Sequence, residues 1–376
     1  MVKVVLISHL GLPYKGIGSW TTSFSYIIAK KFQPIDYIIC AEETLINPIN
    51  SIKYLFADEP KYFKHKISKI IKHYQYLDYW KQLKKILSQE DKLIVKIIDN
   101  VKILQAIDFY SRKEGIRNRI KIIFFHHGYH YFLVPVELEK FYNMIDDLVL
   151  LTKSAYDYQI EQTHAISCEV THIYSGINSK IFKRVSLDEK NFLKSKLGFK
   201  EDKIYFLWLS QDRPKKGLHI ILRAWSELSH KYSNIELLVI GTRNEIKGKQ
   251  IRSLGRIPNN QLAPYYQVSD FYLFSTLCHE GQSMSLPEAM KCGSVCIASN
   301  IDPIAEVMGE GRYGRMVDTP NTPKQWVDII SEEIEKYEQN NRVNPYLRHI
   351  PENIYDLDEW CENINKLVEK WKKYIS

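Results

Sequence analysis

The chain contains 376 residues, of which 45% are apolar and 26% are charged, and its formal net charge is +8. This length is too great for one ordinary hydrophobic core and predicts two domains. No apolar run reaches the length of a membrane-spanning helix, and no zinc finger or other nucleic-acid-binding module is recognisable, so no nucleic-acid partner is expected. The positive charge favours anionic partners such as nucleotides, phosphates or a lipid surface.

The amino terminus and the cysteines both predict a cytoplasmic protein. The opening MVKVVLISHL leads directly into a predicted strand and has no small-residue cleavage site, so no signal peptide is expected. The six cysteines are scattered, and only Cys292 and Cys296 lie close together, without a second pair or a histidine at zinc spacing. We therefore expect reduced thiols and no metal site.

Predicted strands and helices alternate through the first half of the chain. The strands are Val2–Ile7, Tyr37–Cys40, Leu93–Ile98, Lys121–Phe125 and Leu148–Leu151, and the helices are Thr21–Phe32, Val101–Tyr110 and Ser154–Gln162. Near-continuous apolar strands separated by helices are typical of a parallel sheet covered on both faces. A turn rich in polar residues at 171–184 then interrupts the pattern and predicts a linker.

The alternation resumes after the linker. The predicted strands are Tyr205–Leu209, Ile235–Ile240, Phe271–Phe274 and Val295–Ala298, and the helices are Leu218–His230, Asn260–Val268, Leu286–Lys291, Ile304–Met308 and Gln325–Tyr337. The sequence therefore predicts an α/β fold of two facing doubly wound Rossmann-like domains with a cleft between them. The predicted domains are residues 1–178 and 179–355, followed by an amphipathic C-terminal helix in residues 356–376.

Residues 61–87 form a separate basic segment. Apolar side chains from Phe63 to Trp80 recur on one face of a predicted helix, and lysines dominate the other face. Such a helix can lie on an anionic membrane, but an ordinary surface helix with a lysine-rich outer face has the same pattern. Peripheral contact with the inner face of the membrane therefore stays open at this point.

The stretch HEGQSMSLPEAMKCG, residues 279–293, follows a predicted strand and begins a helix. A structural interpretation makes Ser285 the N-cap, Glu288 its capping-box partner and Gly293 the residue after the helix. It does not explain Glu280 and Gly281, which lie in the loop at the carboxyl end of the strand. Open α/β sheets bind ligands at that end, and a helix N-terminus there can bind an anion.

Two loops of the first half also follow predicted strands. SHLGLPYKGIGSW contains Gly16 and Gly18, which let the backbone pass close to a ligand. It lacks the third glycine and the acidic partner of the dinucleotide fingerprint, so NAD binding is not expected. FFHHGYH places His127 at a strand end, where it can face a ligand. Its histidines could instead bind a metal or serve only as hydrogen-bonded structure.

The loop LSQDRPKKGLH, residues 209–219, places Arg213, Lys215 and Lys216 beside Gly217 and ahead of a helix. Cations next to a helix N-terminus suit a pyrophosphate group. The alternative is a solvated polar loop without a ligand.

These motifs together resemble retaining glycosyltransferase family four, the group of sucrose synthase-like and lipid mannosyltransferase-like enzymes with a GT-B type fold. The resemblance covers nearly the whole chain. It is carried by the order of the glycine loop, His-Gly, SGIN, the basic loop with Lys-Gly, GRIPNNQLAPYYQVSDFYLFST, Glu-Gly and Pro-Glu-Ala-Met. It implies that the first domain binds the acceptor, that the second binds the nucleotide sugar, and that the last helix returns to the first domain.

The resemblance also implies roles for residues of the second domain. Glu280 would face the transferred sugar, Glu288 would bind the ribose hydroxyls, and Lys216 would bind phosphate. The implied backbone contacts to the donor come from Gly281, Ser283, Met284 and Ser285 and from the loop Gly255, Arg256 and Ile257, which passes the base.

The chain departs from the family pattern at two of these positions. Gln211 stands where the family usually has an arginine, so either Arg213 takes over its contact or the phosphate is held by fewer charges. Ser283 stands where the family has a third glycine. In the first domain, the resemblance places His127 near the donor sugar and Gly16 and Gly18 near the phosphates.

The implied function is the metal-independent transfer, with retention, of a hexose-type sugar from a UDP- or GDP-linked donor. The acceptor would be a glycan or lipid-linked glycan, as in cell-surface polysaccharide or lipopolysaccharide synthesis, and no cofactor is expected. His127, Glu280 and Lys216 would be the catalytic residues. Two alternatives stay open, namely a sugar-nucleotide epimerase of the same architecture and a non-catalytic protein that binds sugar nucleotides or glycans.

Overall fold

A computed structural model of the protein describes residues 2–14, 19–30, 35–41, 45–58, 72–130, 133, 135–163 and 165–375, without the side chains of 19, 135 and 136. The contacts divide the chain into two compact units. The N-terminal unit contains Met1–Gly176 and Asp358–Ser376, and the C-terminal unit contains Ile177–Leu357. The last residues of the chain therefore belong to the unit that begins it.

The N-terminal unit is built on a parallel sheet with the strand order β3-β2-β1-β4-β5-β6-β7 in the described residues. Its strands are β1 (Lys3–Ile7), β2 (Tyr37–Cys40), β3 (Lys53–Phe56), β4 (Leu93–Ile98), β5 (Ile120–His126), β6 (Asp147–Leu150) and β7 (Glu169–His172). Its helices are α1 (Ser19–Ala29), α2 (Leu77–Leu87), α3 (Val101–Lys113), α4 (Pro135–Tyr142), α5 (Lys153–Gln162) and the C-terminal α12 (Leu357–Ile375), with labels in chain order. The strand order reverses between β1 and β4.

Both faces of this sheet are covered. On one face, Val95 and Phe124 belong to a core that includes residues of α2, α3 and α4. On the other face, Phe125 meets Phe24 of α1 edge-to-face at 5.4 Å between ring centroids, and Phe24 meets Trp360 of α12 at 5.3 Å. Because neighbouring residues of a strand point to opposite faces, Phe124 packs in the first of these layers and Phe125 packs against α1 in the second.

Helix α12 completes the second layer of the N-terminal unit. The apolar positions predicted from its helical spacing are all buried, namely Leu357, Trp360, Ile364, Leu367 and Trp371. The indole N–H of Trp371 donates to Asp147 Oδ2 at 2.8 Å, and Tyr26 donates to Asp358 Oδ1 at 2.8 Å. The helix is therefore an integral part of this unit.

Lys96 is a buried lysine in the centre of the same sheet. It lies on β4 opposite Ile123 of β5, on the face that α1 and α12 cover, and none of its surface is exposed. Its Nζ has no hydrogen-bond partner in the described part of the chain. Burial, with a smaller contribution from the nearby charge of Lys372 on α12, lowers the pKa of Lys96 from 10.5 to about 7.

The C-terminal unit is built on a parallel sheet with the strand order β10-β9-β8-β11-β12-β13. Its strands are β8 (Ile204–Leu209), β9 (Ile235–Ile240), β10 (Ile251–Gly255), β11 (Phe271–Phe274), β12 (Val295–Ser299) and β13 (Gly314–Val317). Its helices are α6 (Leu187–Lys196), α7 (Leu218–Lys231), α8 (Ala263–Val268), α9 (Ser285–Cys292), α10 (Ile304–Val307) and α11 (Pro323–Gln339). The strand order reverses between β8 and β11.

Strand β8 shows how the second sheet is enclosed. Phe206 and Trp208 belong to a core shared with α7 and α11, whereas Tyr205 and Leu207 belong to a second core shared with α8 and α9. The predicted α/β fold of two doubly wound units is confirmed.

The predicted helix over residues 61–87 is correct only in part. Residues 61–71 lie outside the described residues. His73 has a left-handed backbone (φ 59°), a 3₁₀ turn follows at Tyr74–Tyr76, and α2 begins only at Leu77. The apolar side chains of α2 from Tyr79 to Leu87, including Trp80, are buried in the core of the unit, and Leu77 packs half-buried against it. Among the described helices, none combines the length and the apolar character needed to cross a membrane.

Candidate functional site

Lys216 and Gly217 form the turn that leads from β8 into α7. Residues Pro214–Lys216 make a 3₁₀ turn, and Gly217 follows with φ 72°. A Cβ atom at Gly217 would lie 1.9 Å from the carbonyl oxygen of Ser275, so only glycine fits there. The close approach brings the loop after β8 against the loop after β11.

Hydrogen bonds join these two loops. The Ser275 hydroxyl accepts from the indole N–H of Trp208 and donates to the carbonyl of Lys216, both at 3.0 Å. The N–H of Leu277 donates to the carbonyl of Lys215 at 2.7 Å. The loops lie at the carboxyl ends of β8 and β11, where the strand order reverses and where open α/β sheets bind ligands.

Lys216 and Glu280 meet across the joined loops. Lys216 Nζ lies 2.6 Å from Glu280 Oε1, and the two side chains are 18% and 17% exposed. This partly desolvated ion pair brings together two of the predicted catalytic residues. An anion that enters here would compete with Glu280 for the ammonium group of Lys216.

Glu288 is held inside the C-terminal unit. Its side chain is buried, and its Oε2 accepts from the hydroxyl of Tyr266 at 2.9 Å. Burial raises the pKa of Glu288 to about 8, and the Tyr266 hydrogen bond only partly opposes this shift. A carboxyl in this position is largely protonated at neutral pH.

The capping-box interpretation of Ser285 and Glu288 is wrong. Helix α9 begins at Ser285 itself, with Met284 as the N-cap and no side-chain capping bond. The Ser285 hydroxyl lies 3.1 Å from that of Ser283, and the Glu288 carboxyl is directed to Tyr266. The helix does end as predicted, since Gly293 follows its last residue with φ 92°.

The other predicted donor contacts lie on the surrounding loops. Gln211 and Arg213 are exposed, and neither side chain makes a hydrogen bond or ion pair in the described part of the chain. Gly255 has φ 64°, and its carbonyl accepts from the N–H of Gly241 at 2.7 Å. The remaining positions comprise exposed Arg256, half-buried Ile257, Gly281 and Met284, and buried Ser283.

In the N-terminal unit, His127 follows β5 and is bound by Asp99, which follows β4. Asp99 Oδ1 accepts from the His127 N–H at 2.7 Å, and Asp99 Oδ2 lies 3.0 Å from His127 Nδ1. Asp99 is not among the residues predicted from the sequence, although it lies at the carboxyl end of a predicted strand. Gly16 and Gly18 lie outside the described residues.

The histidines around His127 form no metal site in the part of the chain that the structure describes. His126 is largely buried beside His127. Its burial lowers its pKa to about 4, although the charge of Asp99 acts in the opposite direction. His126 is therefore a neutral side chain at physiological pH.

Residues 189–349 match the family model Glycosyl transferases group 1. The match covers 161 of the 376 residues, all within the C-terminal unit. The matched residues include Lys216, Glu280 and Glu288, together with the two joined loops. His127 and Asp99 lie outside the matched residues.

Two curated relatives share about a quarter of the aligned residues. Spore coat protein SA of Bacillus subtilis (strain 168) is 25% identical over 219 residues, which is 53% of this chain and 58% of the relative. Phosphatidyl-myo-inositol mannosyltransferase of Mycolicibacterium smegmatis (strain ATCC 700084 / mc(2)155) is 25% identical over 165 residues, or 42% of this chain and 41% of the relative. The chain thus spans about half the length of the curated relatives it matches.

The fold matches solved structures over nearly the whole chain. Anabaena HepE (Alr3699) in complex with UDP has a TM-score of 0.73 and 14% identity, with 98% of this chain and 100% of that chain covered. At this identity the likeness establishes the fold alone. The architecture of two parallel sheets with helices is that of GT-B glycosyltransferases.

Proposed function

We propose that the protein is a retaining glycosyltransferase. It moves a hexose-type sugar from a UDP- or GDP-linked donor to a glycan or lipid-linked glycan acceptor, without a metal ion or other cofactor. The observation that carries the proposal is the Lys216–Glu280 ion pair, which lies where the strand order of the C-terminal sheet reverses and within the residues that match the family model.

The chemistry of this pair fits a nucleotide-diphosphate donor. Departure of the nucleotide diphosphate develops negative charge, which must be stabilised in the transition state. The ammonium group of Lys216 and the backbone N–H groups at the start of α9, around Ser283 to Ser285, supply positive charge at the carboxyl end of the sheet. A bound diphosphate would replace Glu280 as the ion-pair partner of Lys216, and the Glu280 carboxylate would then face the sugar.

Glu288 and the loop at Gly255 complete the proposed donor site. In this proposal Glu288 binds the ribose hydroxyls, and Gly255, Arg256 and Ile257 line the path of the base. A protonated Glu288 donates one hydrogen bond as well as accepting others, so it can satisfy a ribose hydroxyl that acts as an acceptor. The relative named phosphatidyl-myo-inositol mannosyltransferase supports a lipid acceptor, and the glycan part of the proposed acceptor rests on the resemblance found in the sequence.

The test is a panel of UDP- and GDP-sugars, screened first by the shift in melting temperature and then by nucleotide release with and without glycan acceptors. The proposal expects acceptor-dependent release, and NMR of the product should show the anomeric configuration of the donor. Binding without release in the presence of any acceptor would indicate a non-catalytic binding protein. Formation of a new sugar nucleotide without an acceptor would indicate an epimerase.

A further inference from the structure

A small cavity lies in the C-terminal unit beside the last turn of α9. Its volume is about 230 Å³, and its walls come from the segments 179–184 and 350–352 together with Lys291 of α9. Ser285, which begins α9, precedes Lys291 by six residues, or about 9 Å along the helix axis. The described residues that line the cavity include none from the joined loops around Lys216 and Glu280, so this cavity is separate from the proposed donor site.

Three cationic side chains line the cavity, namely Lys183, Arg184 and Lys291. Lys183 and Arg184 are exposed, and neither forms an ion pair in the part of the chain that the structure describes. Arg184 Nη2 lies 3.5 Å from the carbonyl oxygen of Ile350, which is longer than a typical hydrogen bond. Lys291 is 6% exposed, and its Nζ donates to the carbonyl of Glu352 at 3.2 Å. The lining therefore combines a desolvated ammonium group with a guanidinium group whose N–H donors are largely unused there.

The charges around the cavity favour an anion. Glu352 is the one acidic residue in the described lining, so three cations against one carboxylate leave an excess of two positive charges. Clefts lined by one sign of charge concentrate ions of the opposite sign. The volume of about 230 Å³ falls below the roughly 300–1,000 Å³ of sites for drug-sized ligands, so the cavity suits a small anion better than a nucleotide sugar. Arginine matches the geometry of a phosphate group with two parallel hydrogen bonds.

We propose that this cavity binds a small phosphate-type dianion, held by paired hydrogen bonds from Arg184 and by the ammonium groups of Lys183 and Lys291. The site is additional to the proposed donor site and does not depend on the proposed function. A bound anion would join the end of α9 to the segment 179–184, because cations from both elements would contact it. Binding should therefore stabilise the C-terminal unit.

The test is titration of the wild type and of Arg184→Gln with inorganic phosphate at constant ionic strength, followed by calorimetry and by melting temperature. The wild type should bind phosphate saturably, and its melting temperature should rise with phosphate concentration. Arg184→Gln should bind phosphate at least about tenfold more weakly, the scale of lost charge-assisted hydrogen bonds. Lys180→Gln is the matched control and should bind as the wild type does, since Lys180 is an exposed residue of the same segment that does not line the cavity.

Lys216→Ala separates this cavity from the loops of the proposed donor site, which could also bind phosphate. The inference expects Lys216→Ala to retain the binding that Arg184→Gln loses, whether or not the chain uses a sugar nucleotide. Absence of saturable binding in the wild type, or binding that depends on Lys216 and not on Arg184, would overturn it. Equal phosphate-induced shifts of melting temperature in Arg184→Gln and the wild type would also overturn it, and would leave Arg184 with only the structural role of offsetting the negative end of the α9 dipole.

Discussion

Replacing Lys96 with methionine should stabilise the protein in a pH-dependent way. The pKa of Lys96 is about 7 in the folded chain, whereas its ordinary value is 10.5. Between pH 7 and pH 10.5 the unfolded chain therefore binds more protons than the folded chain, and the free energy of unfolding rises with pH. At about 1.4 kcal/mol per pH unit, the buried amine costs on the order of 4 kcal/mol at pH 7 and about 1 kcal/mol at pH 10. Methionine has a similar shape and no charge, so it removes this cost.

The measurement is denaturant unfolding of the wild type and of Lys96→Met at pH 7 and pH 10. The gain in free energy of unfolding should shrink from about 4 to about 1 kcal/mol between the two conditions. Lys102→Met, an exposed position on α3, is the matched control and should change stability by less than about 0.5 kcal/mol at either pH. A gain that does not vary with pH, or a loss of stability at pH 7, would refute the reasoning.

The remaining predictions concern the C-terminal unit. Gly217→Ala should lower the melting temperature and weaken sugar-nucleotide binding, because the new Cβ would clash with the carbonyl oxygen of Ser275. Gly198→Ala is the control, since Gly198 has the same φ of 72° and no atom within 4 Å of the new Cβ. It should cost only about 1–2 kcal/mol of backbone strain. Lys216→Ala should weaken the binding of a nucleotide diphosphate about tenfold or more, as measured by calorimetry. Lys215→Ala, at an exposed neighbouring position, should bind it as the wild type does. Equal affinities of Lys216→Ala and the wild type would remove Lys216 from the site. The pKa of Glu288, about 8, is raised above the ordinary 4.5, so its contribution to stability is present below pH 4.5 and lost as pH rises toward 8. Glu288→Gln should flatten that part of the stability profile, and an unchanged slope would contradict the burial of an ionisable carboxyl. EDTA should leave transferase activity unaltered, and a loss restored by a divalent cation would contradict a metal-independent reaction.

The sequence predicts the central strands of both sheets but not their edges. The four strands that the sequence pattern missed, β3, β7, β10 and β13, are the outermost strands of the two sheets. An edge strand has a neighbour on one side only and is partly open to water, so it lacks the continuous apolar run of a central strand. In β3, the burial pattern is exposed at both ends and only half-buried between them.

Local signals were less reliable where tertiary contacts decide the structure. The spacing of Ser285 and Glu288 fits a capping box, yet the hydroxyl of Tyr266, distant in sequence, takes the carboxyl instead. The pairings of Lys216 with Glu280 and of His127 with Asp99 join loops that follow neighbouring strands. The order of strands in a sheet cannot be derived from periodicity alone, so these partners could not be matched from the sequence.

The membership of α12 in the N-terminal unit has a consequence for synthesis on the ribosome. About 200 residues separate Gly176 from the end of the chain, and at 5–20 residues per second their translation takes roughly 10–40 s. Throughout that interval α1 alone covers the sheet face that carries Lys96, so this layer is incomplete and part of the face stays open to water. The N-terminal unit can therefore reach its final packing only after α12 has been translated, so the C-terminal unit is free to fold first.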